Sequence, residues 1–210
     1  MTTQIYLITP AITDAAALLP GLNAVLEAAP VSAVLIDARA GDDKALAALA
    51  KEIVAAVQAS GAAALLPPPQ DLRTVARLGA DGVHALGLAA LGEAVEALKP
   101  KAIVGVGGLK TRHEAMEAGE KDIDYVMFGA PRPDGSLPDS ATTIERAQWW
   151  AEIFTLPCVA YAPGLEEAAV LIATGVEFIA LGPWLFETAD PALTMRQAFA
   201  LCAAARGPIA

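Results

Sequence analysis

The sequence has few of the residues that build metal cages, disulfide frameworks or nucleic-acid surfaces. Only two cysteines and two histidines occur in 210 residues. Cys158 and Cys202 lie far apart and outside any CxxC pair, which excludes a disulfide-rich scaffold. Both are expected to be buried thiols in a reducing compartment. Basic residues number 14 against 24 acidic ones, a formal net charge of -10. A field of that sign repels polyanions, so neither nucleic acid nor an anionic membrane is an expected partner. A small phosphorylated molecule stays open, because it needs only a few amides and one or two cations. No uncharged apolar run reaches the roughly 20 residues that span a bilayer. The opening MTTQIYLITP has no basic segment ahead of a long apolar core, so no secretory signal is visible. The expected location is the cytoplasm. Nothing in the sequence fixes an oligomeric state, and a homo-oligomer is compatible with it.

What the chain does have is apolar surface to bury: 55% hydrophobic residues against 18% charged. Short β-rich runs alternate with longer alanine-rich segments from end to end. Candidate strands are Ile5–Thr9, Ala33–Asp37, Ala63–Leu66, Gly82–His84, Ala102–Val106, Tyr125–Phe128, Cys158–Tyr161 and Phe178–Leu181. Between them Ala15–Ala28, Asp43–Ala59 and Glu166–Thr174 carry apolar residues at helical spacing. A last helix is expected over Pro191–Ala205, opened by a proline whose missing amide costs nothing there. Such alternation implies parallel strands with crossover helices. Eight units with no leftover segment favour an α/β chain folded as a single (β/α)8 TIM barrel over residues 1–210. The rival, an open doubly wound sheet, would carry an early GxGxxG; here the first strand runs into Thr9-Pro10-Ala11. The longest loop, Pro131–Ser140 (PRPDGSLPDS), leaves the sixth strand at the barrel face where active sites form. It is either a functional overhang or a plain connector.

Four segments then carry a resemblance to the thiamine phosphate synthase superfamily, which includes thiazole tautomerases. Ile5-Tyr6-Leu7-Ile8-Thr9 resembles its LYLVTD, and Gly79-Ala80-Asp81-Gly82-Val83-His84 its GADGVH. Ile103-Val104-Gly105-Val106 resembles IIGVS, and Asp124-Tyr125-Val126-Met127-Phe128-Gly129 resembles DYVGFGP. The resemblance implies a C–N bond-forming transferase of thiamine biosynthesis. It would couple a pyrimidinylmethyl pyrophosphate to a thiazole phosphate, with a phosphorylated heterocycle as partner. That chemistry asks for Mg²⁺ and cations on the departing pyrophosphate, and little acid–base work.

Position by position, the likeness is incomplete. The family's RxK becomes Asp37-Ala38-Arg39; Arg39 either binds pyrophosphate with its forked guanidinium or pairs with Asp37. The family's metal-binding Asn-Asp becomes Pro69-Gln70, and no acid follows the fourth strand in Ala85–Ala90. Mg²⁺ is therefore implied by resemblance while its usual carboxylates are missing, and no residue is assigned to a metal. Gln70 keeps one neutral oxygen for a substrate. The family serine becomes Gly107, followed by Gly108, Leu109, Lys110, Thr111 and Arg112. Gly107 and Gly108 admit close approach of a ligand, and Lys110 is the expected partner of pyrophosphate; the plainer reading is a turn with solvated basic residues. Arg132 is the nearest cation after the sixth strand, and Asp134 is explained as a turn residue before Gly135. Gly164 and Gly182 are placed where backbone would meet phosphate after the last two strands, although Pro163 and Pro183 each remove an amide. Trp184 covers a ring or closes the barrel. His84 is a barrel-lining, catalytic group or a strand residue kept for structure, and His113 is a helix-surface residue. The catalytic candidates are thus Arg39 and Lys110; Gln70, Gly107, Gly108, Arg132, Gly164 and Gly182 are the substrate-binding ones. Two other readings stay open: a non-catalytic barrel that binds or senses a phosphorylated ligand, and tautomerase-like chemistry on a thiazole phosphate.

Overall fold

Successive side chains of a strand point to opposite faces, and in this chain both faces are apolar, as a strand buried on two sides requires. The computed structural model describes residues 3–38, 43–132 and 134–205. Its strands are β1 (Gln4–Ile8), β2 (Ala33–Leu35), β3 (Ala63–Leu66), β4 (Gly82–Leu86), β5 (Ile103–Gly107), β6 (Tyr125–Phe128), β7 (Cys158–Ala162) and β8 (Phe178–Leu181). They pair in parallel in chain order, and β1 closes on β8. The helices between them are α1 (Ala15–Ala28), α2 (Asp43–Ala59), α3 (Arg73–Leu78), α4 (Gly87–Leu98), α5 (Arg112–Gly119), α6 (Ser140–Ile153), α7 (Leu165–Ile172) and α8 (Pro191–Ala204). A short 3-10 turn, Pro183–Glu187, precedes α8. This is the expected (β/α)8 barrel.

The boundaries follow local chemistry. Asp14, Thr111, Asp139 and Asp190 each accept an amide from the first turn of α1, α5, α6 and α8, a cap worth about 1 kcal/mol. β4 runs two residues beyond the expected His84, because Ala85 and Leu86 pair with Val106 and Gly107 of β5, which starts and ends one residue later than expected. β2 stops at Leu35 rather than Asp37, whose amide turns to Thr9 Oγ1 at 2.9 Å. α7 begins at Leu165 and ends at Ile172, close to the expected Glu166–Thr174.

Outward residues such as Ile5, Val34, Val83, Val104, Val126 and Ile179 pack under the helices in the larger core. Inward residues form a second cluster around Tyr6, Leu65, Tyr125, Met127, Val159 and Tyr161. Its bulky rings are fitted against glycines: a methyl at Gly105 would overlap the Tyr125 ring, and one at Gly182 would overlap Tyr161. Cys158 and Cys202 are buried. Burial pushes both thiols up, Cys202 by desolvation alone and Cys158 with help from Glu177, so neither is a nucleophile at neutral pH.

At the N-terminal end of the barrel three carboxylates take strand amides across to the next strand. Asp81 Oδ2 accepts from Ala64 N at 2.7 Å, Asp124 Oδ2 from Val104 N at 2.7 Å, and Glu177 Oε2 from Cys158 N at 2.9 Å. Lys99 Nζ lies 3.0 Å from both oxygens of Asp124. No described helix is long and apolar enough to cross a membrane.

Candidate active site

The opposite, C-terminal end of the strands opens into a cavity of about 990 Å³, the size of a pocket for one or two small organic molecules. Its floor is inward strand residues: Ile8, Leu35, His84, Met127 and Tyr161. Its rim comes from loops, and six of the lining residues are prolines: Pro10, Pro67, Pro68, Pro69, Pro131 and Pro183. Proline has no amide to donate, so this rim offers a ligand side chains more than backbone amides. A second cleft, lined by Gly129, Thr143, Pro163 and Glu167 among others, has only about 20 Å³, room for little more than a water.

Inside the barrel, two tyrosines join the floor residue His84 in a hydrogen-bonded row. Tyr6 Oη lies 2.9 Å from Tyr125 Oη, which lies 2.9 Å from His84 Nδ1. The His84 and Tyr125 rings are stacked, 5.6 Å between centroids and 13° between planes. Gly107 makes room for the imidazole, since a Cβ there would stand 2.7 Å from His84 Nε2. Burial raises the phenols of Tyr6 and Tyr125 well above their ordinary value and lowers His84 from 6.5 to about 4. All three are neutral near pH 7.

The His84 shift has a consequence for stability. The unfolded imidazole binds a proton near pH 6.5, while the folded one stays neutral until about pH 4. Above pH 6.5 the residue contributes no pH dependence. As pH falls from 6.5 toward 4 the unfolded state gains protons that the folded state lacks, and stability drops by up to about 1.4 kcal/mol per pH unit. Urea unfolding at pH 7 and pH 5 should show His84→Gln losing about 2 kcal/mol less than the parent over that step. Equal losses would mean that His84 protonates freely in the folded barrel.

The expected site residues divide into three groups. Gln70 and Arg132 line the cavity; Arg132 Nη1 donates to Ser136 Oγ (3.0 Å) and to the Leu137 carbonyl (3.1 Å), which holds the guanidinium in its own loop. Gly107 lies under His84, and Gly108, with φ +70°, lies against Leu86 and Gly87. Lys110, Gly164 and Gly182 do not line the cavity, nor do Gly107 and Gly108, and this differs from the expectation. Lys110 is exposed, at a turn tied down by Arg146, whose guanidinium donates to the carbonyls of Leu109 and Lys110. Gly164 caps α7, and the carboxylate of Glu167 lies over it. With Glu166 also in that first turn, the positive helix end is met by the chain's own acids. Gly182 is buried under Tyr161, and Trp184 Nε1 donates to the Ala162 carbonyl at 2.8 Å, joining the ends of β7 and β8. Trp184 therefore closes the barrel top while one side of it lines the cavity. Arg39 lies outside the described residues. His113 is exposed on α5, and Asp134 accepts the Ser136 amide in the expected turn.

Sequence reasoning missed two features. Tyr6, Tyr125 and Tyr161 were not singled out, although each occupies an inward position of its strand; the alternation of β1, β6 and β7 was the available signal. Asp43 was read only as a helix start. Its carboxylate accepts from Gln70 N (3.1 Å), Asp71 N (2.9 Å) and Thr74 Oγ1 (3.0 Å), and it organises the loop that carries Gln70.

Those bonds bear on the metal that the resemblance implies. Asp43 lines the cavity together with Asp37 and Glu187, and both Asp43 oxygens are engaged. A hard cation wants several oxygen ligands including carboxylates. The β3 and β4 ends supply Pro67 to Gln70 and Leu86, and no group of three metal-binding side chains occurs among the described residues. The donors described at these two strand ends do not fit a protein-held Mg²⁺.

The sequence profile described as thiamine monophosphate synthase matches residues 5–183, the barrel from β1 to the turn after β8. The chain belongs to the thiamine monophosphate synthase family. Thiamine-phosphate synthase of Rhodospirillum centenum is 37% identical over 187 residues, covering 86% of this chain and 89% of that protein. The protein of the same name from Hyphomonas neptunium is 35% identical, with 92% and 91% covered. Among solved structures, thiamine phosphate pyrophosphorylase from Pyrococcus furiosus superposes with a TM-score of 0.78 at 20% identity, covering 97% of each chain. A 3-hexulose-6-phosphate synthase reaches 0.73 at 17% identity over 96% of this chain and 99% of its own. At such identities the superpositions establish the fold, and the family rests on the sequence matches.

Proposed function

We propose that this member of the thiamine monophosphate synthase family couples a pyrimidinylmethyl pyrophosphate to a thiazole phosphate and releases pyrophosphate. The observation that carries the reading is near-full-length identity of 35–37% to thiamine-phosphate synthases, joined to a cavity of about 990 Å³ at the expected end of the barrel. In this reaction a C–O bond to pyrophosphate breaks as the thiazole nitrogen forms a bond to the same carbon. A neutral, largely apolar floor suits that step, because it shields an electron-poor carbon from water. Arg132 and Gln70 would meet phosphate oxygens at the rim, while Gly107 makes room for the His84 ring. Gly108, Lys110, Gly164 and Gly182 would join only after the segments that carry them rearrange.

The test is turnover by the folded protein supplied with both substrates and Mg²⁺, read as thiamine phosphate formed and pyrophosphate released. Product is expected, and Arg132→Ala should lower kcat/KM about tenfold, the worth of one charge-assisted hydrogen bond. A folded preparation that binds either substrate without making product would leave a ligand-binding barrel in place of the synthase.

A further inference from the structure

The buried row Tyr6, Tyr125, His84 contains two bonds and can be wired in only a few ways. Tyr6 is 2% exposed, Tyr125 6% and His84 3%. Among the described residues, the hydroxyls of Tyr6 and Tyr125 and the ring nitrogens of His84 have no other hydrogen-bond partner. Each phenol has one proton to place. If Tyr6 donates to Tyr125 and Tyr125 donates to His84 Nδ1, both protons are used. If His84 Nδ1 donates instead, either Tyr125 or Tyr6 is left with a buried proton and no acceptor. A buried orphan donor is disfavoured by about tenfold or more, so the first wiring prevails. A neutral imidazole that accepts at Nδ1 carries its proton on Nε2. That nitrogen faces the space left by Gly107, and His84 belongs to the cavity floor.

We propose that His84 presents Nε2–H to the cavity as a fixed, neutral hydrogen-bond donor for an acceptor atom on the ring end of the ligand. Tyr125 is the positioning residue that sets its tautomer, and Tyr6 holds the Tyr125 hydroxyl in place. The ligand class is a heteroaromatic ring with an unprotonated nitrogen, or a carbonyl-type oxygen, at its buried end. A group that only donates there is rejected, since two donors would face each other. The arrangement also orients the ligand: ring toward His84, charged phosphate toward Arg132 and Gln70 at the rim. That last step rests on the synthase reading, whereas the tautomer does not.

The first experiment needs no substrate. Because the chain has two histidines and His113 is on the surface of α5, the ¹⁵N-labelled His113→Gln protein gives one imidazole to follow by long-range ¹⁵N–¹H correlation. The expected pattern is a pyrrole-type Nε2 and a pyridine-type Nδ1. Tyr125→Phe removes the partner and should give a tautomer mixture, whereas Tyr6→Phe leaves Tyr125 with Nδ1 as the one acceptor for its proton and should keep the parent pattern. A purely packing role for Tyr125 would leave the pattern unmoved in both variants. A pyrrole-type Nδ1 in the parent overturns the proposal.

The second arm titrates the pyrimidinylmethyl alcohol that lacks the diphosphate. It should move the Nε2–H proton signal, and His84→Leu should weaken its binding about fivefold to tenfold, the worth of one neutral hydrogen bond. His84→Gln, which can keep an N–H near that position, should stay within about threefold. Equal binding by the two variants, or an unmoved Nε2–H, refutes the ring-reading role. Turnover with the wrong tautomer would defeat this inference alone, and the right tautomer with ring binding but no turnover would defeat only the synthase reading.

Discussion

Trp150→Ala is expected to lower the unfolding free energy by about 4 kcal/mol, at the upper range of single core truncations. Trp150 is fully buried on α6. Its indole stacks on Phe154 (4.0 Å between centroids, 18°), meets Phe128 edge-on at 5.9 Å, and donates Nε1–H to the Leu156 carbonyl at 2.8 Å. Alanine removes the ring, opens a cavity between α6 and β6, and takes the indole donor from the Leu156 carbonyl. These losses act together, because Phe154 and Leu156 belong to the segment that leads into β7. For a chain of this length the change corresponds to a melting temperature lower by about 8–16 °C. Scanning calorimetry or urea unfolding reads it directly. A loss below about 1 kcal/mol would mean that the aromatic cluster repacks around the gap.

Gly105→Ala should cost less stability and more function. The added methyl would fall on the Tyr125 ring. That ring is held by hydrogen bonds at its hydroxyl and by the rings of His84 and Tyr6 around it. Overpacking against a ring held in this way should destabilise the barrel by about 3 kcal/mol. The displaced phenol would also let go of His84, and kcat/KM should fall more than tenfold in protein that remains folded, by the loss of a fixed contact in the floor. A second change separates size from chemistry. Tyr125→Leu in the Gly105→Ala background removes the ring atoms that collide and should recover at least about 1 kcal/mol by the coupling of neighbouring sites. It should recover no activity. Additive effects would place the collision elsewhere.

The architecture was legible because strand–helix alternation and the two-sided burial of strands act over every unit of the chain. Ala15–Ala28 and Asp43–Ala59 coincide with α1 and α2 because alanine-rich amphipathic runs need no tertiary context to be recognised. β4 was read short because its last residues, Ala85 and Leu86, are ordinary in composition, and only pairing with β5 makes them strand. Around the cavity, the places of Gln70 and Arg132 at strand ends are enough to put them in its lining. Lys110, Gly164 and Gly182 were expected by the same logic, yet the direction of a loop side chain depends on its local partners: Arg146 beneath Lys110, Glu167 over Gly164, Tyr161 over Gly182. Such partners are remote in sequence or hidden in rotamers. Tyr6 and Tyr125 lie 119 residues apart, and nothing but strand parity hints that their hydroxyls meet.

The carboxylates at the closed end separate what holds the barrel together from what lines the cavity at the other. Asp81 ties β3 to β4, Asp124 ties β5 to β6, and Glu177 ties β7 to β8. Each tie joins an odd strand to the even one that follows, so much of the barrel is assembled from two-strand modules latched far from any substrate. Substitution in the loops at the other end, such as the one that carries Pro69 and Gln70 after β3, then leaves the latches untouched. Whole modules could be traded between relatives at the joints ahead of β5 and β7 without severing one of them.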